Sequence, residues 1–187
     1  PVDVYCLPIP NFQAYSVCQN QATNFTNQST PGNNPSDGNL SYSWDMGGPG
    51  SYQVDGSGVM TGPNSENPVF LYDTCDTYNV QLTVTDSNGC SDIITLPVIV
   101  WCNPEATFTA PPECDDDQPI TFTSTTTQGS ANISSWIWTM NTDGLGDGDY
   151  LIGFDSTETP TYYTFDSCGI RPVEPLVIDD NGCRDSI

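Results

Sequence analysis

The chain has no lysine and no histidine. Its basic side chains are Arg171 and Arg184, set against 24 acidic residues, for a formal charge of -22 over 187 residues. That deficit argues against nucleic acid and anionic membrane as direct partners, because both are bound by Lys and Arg displacing counterions. Without histidine there is no Ser-His-Asp or Cys-His centre, and the commonest metal ligand is missing. No apolar run approaches the roughly 18 residues a membrane-spanning helix needs, so direct membrane insertion is not expected. No leader peptide is visible, and the chain reads as a mature or excised segment. None of the eight cysteines lies in a Cys-x-x-Cys pair, which argues against zinc.

What is present is a duplication. Pro1-Val2-Asp3-Val4-Tyr5-Cys6 returns as Pro97-Val98-Ile99-Val100-Trp101-Cys102, and Phe12 and Cys18 return as Phe108 and Cys114. Tyr42-x-Trp44-x-Met46 returns as Trp136-x-Trp138-x-Met140, and Asp73-x-Cys75 as Asp166-x-Cys168. Asp86-x-Asn88-Gly89-Cys90 returns as Asp179-x-Asn181-Gly182-Cys183. All four cysteine positions of one copy recur in the other. The division that follows is a linker strand at 1–6, equivalent to 97–102, then domains at 7–101 and 102–187. The ends fall at matching phases of the repeat, as in a slice through a longer tandem array.

Helical periodicity is absent. Tyr78 to Thr85 alternates apolar and polar residues, the pattern of a half-buried strand. Asn88-Gly89 follows, read as a type I′ hairpin turn, with Ile93 to Trp101 as the returning strand. Sixteen glycines and sixteen prolines punctuate the remainder. Short strands and frequent turns in units of this size predict an all-β fold, two tandem immunoglobulin-like β-sandwiches. Trp44 and Trp138 are expected in the cores, since an alternating tryptophan packs inside.

Tyr42-Ser43-Trp44-Asp45-Met46-Gly47-Gly48, Glu66-Asn67-Pro68-Val69-Phe70 and Tyr78 through Cys90 together resemble the PKD (polycystic kidney disease) domain. That family shows a Trp-Asp-Phe-Gly-Asp-Gly stretch, an Asn-Pro and a Tyr-x-Val-x-Leu-x-Val-x-Asp strand. The ending Asn-Gly-Cys resembles repeats of large Bacteroidetes surface proteins, gliding-motility adhesins among them. The second copy departs further: Trp138 to Gly144 keeps the motif in part, Pro175 interrupts the strand from Val173 to Val177, and Met46 and Met140 replace the motif's Phe. The resemblance implies an immunoglobulin-like sandwich, an extracellular, cell-surface location, a spacer or adhesive role, and no catalysis.

An even set of spaced cysteines reads as disulfides formed in an oxidising compartment. In an immunoglobulin-like sandwich the favoured set is Cys18–Cys75, Cys6–Cys90, Cys114–Cys168 and Cys102–Cys183. One rival places Cys75 opposite Cys102 across a regular Asn88-Gly89 hairpin, and another joins Cys18 to Cys90. Each closed loop contributes on the order of 2–4 kcal/mol, mainly by restricting the unfolded chain.

Asn141, Asp143, Asp147 and Asp149 lie on a Gly-rich loop that could wrap a Ca2+ ion with oxygen ligands, although the spacing is not that of an EF-hand. Asp115-Asp116-Asp117 is a second acidic cluster. The alternative for both is a solvated acidic loop. No cofactor is required. Asn24, Asn27, Asn39 and Asn132 head N-glycosylation triplets, and Asp185-Ser186-Ile187 resembles a Bacteroidetes O-glycosylation pattern on Ser186. Neighbouring repeats of the same protein or filament are the expected partners, with Val98, Val100 and Trp101 packing where domains meet. A surface glycan or protein ligand is a further candidate partner. One alternative function is a carbohydrate-binding accessory module, with Tyr52, Tyr150, Tyr162 and Tyr163 as a platform. Another is a filament subunit that exchanges strands between chains.

Overall fold

The computed structural model describes residues 5–32, 39–112, 120–140, 153–155, 161–163 and 172–187. It divides into two units, Pro1–Trp101 and Cys102–Ile187. The first holds β1 (Phe12–Ala14), β2 (Val17–Cys18), β3 (Thr23–Asn27), β4 (Ser41–Asp45), β5 (Gly50–Tyr52), β6 (Val69–Tyr72), β7 (Asp76–Thr85) and β8 (Ser91–Trp101). The second holds β9 (Phe108–Thr109), β10 (Ile120–Ser124), β11 (Ile133–Met140), β12 (Gly153–Asp155), β13 (Thr161–Tyr163), β14 (Val173–Asp179) and β15 (Arg184–Ser186). No helix occurs among the described residues. The all-β sandwich expected from the alternation is the fold found.

In the first unit one sheet runs β1-β3-β6-β5 and the other β2-β8-β7-β4. Alternation decides which side of each strand is buried. Along β7, Tyr78, Val80, Leu82 and Val84 turn inward while Asn79 and Gln81 face out. Opposite them stand Phe12, Phe25, Phe70 and Tyr72 of the facing sheet, closing one core with Trp44, Met46, Val98 and Val100. In the second unit the sheets are β13-β10-β9 and β12-β11-β14-β15. Ala106, Phe122, Trp136, Trp138 and Val177 form its described core.

Three details differ from the sequence reading. The turn after β7 has positive φ at Gly89 (83°) and, among its non-glycine residues, none. It is therefore a longer loop closed by a left-handed glycine, not a type I′ turn. Asp86 N–H donates to Cys90 O at 2.9 Å and Asp76 pairs with Val100, one residue out of step with a Cys75–Cys102 register. Second, Val98 and Val100 are 4 % and 3 % exposed inside the first unit's own core. Because β8 pairs with β7 along its whole length, alternate side chains of β8 must face that core. Third, Pro175 does not break its strand: β14 runs through it, in register with Trp138. β15 pairs only with Leu176 to Ile178. A proline is tolerated within a strand where its missing N–H leaves no ladder bond unmade.

Candidate functional site

Each unit is built on the same aromatic wedge. Phe12 meets Trp44 edge-on at 5.1 Å and Phe25 lies 5.5 Å from the same indole. Phe108 meets Trp138 edge-on at 5.3 Å, with Phe122 at 5.8 Å. Tilted and edge-on rings at these separations add about 0.5–1.5 kcal/mol per pair beyond burial. Trp44 also donates its indole N–H to Ser65 O at 2.9 Å. Trp44 and Trp138 are each 4 % exposed, so both are core residues as expected.

The aspartate of each Asp-x-Asn-Gly-Cys motif shapes the turn that carries a cysteine. Asp86 Oδ1 accepts the N–H groups of Asn88 and Cys90, both at 2.9 Å. Asp179 Oδ1 accepts those of Asn181 and Cys183, at 2.9 and 2.8 Å. Both carboxylates are buried, and in both Oδ2 has no hydrogen-bond partner among the described residues. The signal for this role was the motif's recurrence; its structural meaning was not assigned from sequence.

Cys18, Cys75, Cys102 and Cys183 are disulfide-bonded. Cys18 closes β2 in parallel register with Trp101, and Cys75 directly precedes β7. In the second unit Ala106 N–H donates to Asp185 Oδ2 at 2.8 Å, tying the segment after Cys102 to the strand after Cys183. Cys6 is a free, exposed thiol, so the Cys6–Cys90 bridge is not formed. Cys6 lies in the irregular segment before β1, against Gly32, while Cys90 is held in its turn by Asp86. Cys114 and Cys168 lie outside the described residues.

Asn141, Asp143, Asp147, Asp149 and Asp115–Asp117 also lie outside the described residues. Among those described, no group of three or more Cys, Asp or Glu could hold a metal ion. Ser186 is exposed on β15. Tyr52 is half-buried and packs edge-on against Phe70 at 5.0 Å, so its ring is engaged in the core. Tyr150 is outside the described residues, and of Tyr162 and Tyr163 only the backbone, in β13, is described. Burial raises the Tyr72 hydroxyl far above its ordinary pKa, with a smaller push from Tyr78, Tyr52 and Asp45. That hydroxyl donates to Met46 O at 3.0 Å. Burial likewise raises Tyr52 and Tyr42.

Two β-sandwiches, each with disulfide-bonded cysteines and an interior of packed aromatics, define a tandem of immunoglobulin-like modules. A family model of the PKD domain matches residues 7–100, and the chain belongs to that family. Such domains are as a class non-catalytic, and disulfide-bearing ones are typical of extracellular proteins. The PKD1 domain of Vibrio anguillarum Epp is similar at 28% identity and a TM-score of 0.39, covering 52% of this chain and 96% of its own. The fibronectin(III)-like modules of Clostridium thermocellum CbhA match at 14% identity and a TM-score of 0.38, covering 95% and 91%. Carbohydrate-binding modules of the β-sandwich superfamily match at 12% identity and a TM-score of 0.39, covering 99% and 84%. No curated protein sequence matches the chain.

Proposed function

We propose that this chain is a disulfide-stapled, non-catalytic spacer segment of a long extracellular repeat protein, a cell-surface adhesin or filament, with neighbouring repeats as its partners. The observation that carries this reading is the recurrence of the same wedge and the same cysteine-bearing turn in both units, each with disulfide-bonded cysteines. A spacer must resist unfolding under load. Small sandwiches have limited cores, and covalent closure of long loops compensates for that. The pairing we favour is Cys18–Cys75 within the first unit and Cys102–Cys183 within the second. The Ala106–Asp185 bond supports the second pair, because it brings the two bonded segments to the same strand. The high negative charge makes neighbouring molecules repel within a range of roughly 8 Å at physiological salt, favouring extended over collapsed arrays.

The test is thermal unfolding with and without a thiol reductant. Losing a native disulfide from a domain of this size costs about 2–5 kcal/mol, so the spacer reading expects reduction to lower Tm by more than about 10 °C. An unchanged Tm on full reduction, verified by mass, would remove it.

A further inference from the structure

From Val4 through Ser36 the sequence contains no charged residue, in a chain of net charge -22. The corresponding stretch of the second repeat carries Glu105, Glu113, Asp115, Asp116 and Asp117. The described part of this stretch, residues 5–32, supplies the exposed face of the antiparallel β1–β3 pair. Ile9 pairs with Thr30 and Gln13 with Thr26, so Ile9, Asn11, Gln13 and Tyr15 face outward in a row beside Thr26 and Gln28. Outward positions of one strand lie about 7 Å apart.

The side chains of this row are already ordered. Asn11 donates to Gln28 Oε1 at 3.1 Å, Gln28 donates to Gln13 Oε1 at 3.2 Å, and Gln13 donates to the Tyr15 hydroxyl at 2.7 Å. The chain of bonds holds Tyr15, which is 72 % exposed. Each amide has two donors and two lone pairs, and the ladder uses only part of them. The remainder point at solvent.

We propose that this face binds a neutral polysaccharide. The spare amide donors and acceptors would meet hydroxyl groups, and the Tyr15 ring would stack against the C–H face of a sugar. Charge selects the ligand class: the chain as a whole repels polyanions, and the row of Ile9, Asn11, Gln13, Tyr15, Thr26 and Gln28 holds no carboxylate to draw a cationic partner. A protein partner needs a desolvated apolar centre. Here the centre is an amide ladder, whose unmatched groups would be left unsatisfied under an apolar surface. The second repeat builds the same position differently. Thr107 donates to Thr125 O at 2.7 Å and Thr125 to Thr107 Oγ1 at 3.0 Å, with Glu105 alongside. It presents short hydroxyls and a negative charge, and no polysaccharide is assigned to it.

The experiment is affinity electrophoresis of the whole 187-residue chain in native gels containing soluble neutral polysaccharides: mixed-linkage β-glucan, xyloglucan, galactomannan or dextran. Alginate is the polyanionic control. At least one neutral polymer should retard the chain and alginate should not. Tyr15→Ala, and separately Gln13→Ala with Gln28→Ala, should each weaken Kd at least tenfold with Tm unchanged, while Thr109→Ala leaves it alone. Retardation by none of the polymers overturns the proposal, as does equal retardation of wild type and both ladder variants. A Tyr15-dependent dimer in sedimentation without retardation overturns it too, by giving the face to a second copy. None of these outcomes bears on the spacer reading, which stands or falls on reduction.

Discussion

The two repeats set the same Phe–Phe–Trp wedge and the same Asp-x-Asn-Gly-Cys turn into different surroundings. In the first, β7 and β8 form a long hairpin, and Tyr72, stacked on Tyr78 at 3.9 Å, extends the core beyond the wedge. In the second, a proline stands where the first repeat has Leu82, each opposite the wedge tryptophan. Trp44 has a partner for its indole N–H, whereas Trp136, one alternation before the wedge tryptophan Trp138, has none among the described residues. What both copies keep is the minimum that locates the two sheets and positions the cysteines. Among the described residues the bonded cysteines also differ in place, Cys18 and Cys75 in the first repeat and Cys102 and Cys183 in the second.

That contrast can be broken most forcefully at the sulfurs. Cys102→Ala with Cys183→Ala should cost the second unit about 2–5 kcal/mol and leave the first unit unaffected. Cys18→Ala with Cys75→Ala should cost the first unit a similar amount. Limited proteolysis of the two variants reads which unit is weakened, and cleavage of both units alike in either variant would dissolve the contrast. Next come the wedge tryptophans: Trp44→Ala should cost about 3–5 kcal/mol by denaturant unfolding. Trp44→Phe should cost more than Trp136→Phe, because Trp44 has an indole hydrogen bond to lose and Trp136 has none among the described residues.

Much of this architecture was legible because alternation is a direct image of a half-buried strand. Tyr78 to Thr85, the placement of Trp44 and Trp138, and the duplication itself needed no coordinates. The turn type was not legible, because Asn-Gly supports more than one loop, and the choice was made by Asp86 accepting two backbone N–H groups. Val98 and Val100 were misassigned to a junction because their sequence position at a repeat boundary was read before their alternation. Pro175 was misread because strand context, not the residue alone, decides whether a missing N–H matters. The Asn11–Gln13–Gln28 ladder joins residues of two strands, and only pairing register reveals it.

Smaller effects sharpen the account. Asp86→Asn and Asp179→Asn keep an oxygen for the turn and remove a buried charge whose second oxygen lacks a described partner. Each should change stability by less than about 1 kcal/mol or raise it, whereas Asp→Ala at either site should cost about 1–3 kcal/mol. The alkaline limb concerns the first unit. Tyr72, Tyr52 and Tyr42 have folded-state pKa values raised above the ordinary 10.0, so the unfolded chain releases protons first as pH rises. Their contribution is fully present below pH 10 and is lost progressively above it, which pH-dependent melts of Tyr72→Phe against wild type would show as a shallower alkaline decline.

The most direct test is to pull the whole chain from its ends in single-molecule stretching, first oxidised and then reduced. The account predicts that reduction lengthens the chain released on unfolding by about 200 Å for the Cys18–Cys75 segment and about 280 Å for Cys102–Cys183. Equal release in the two states would show that no sulfur bridge spans either repeat and would contradict it.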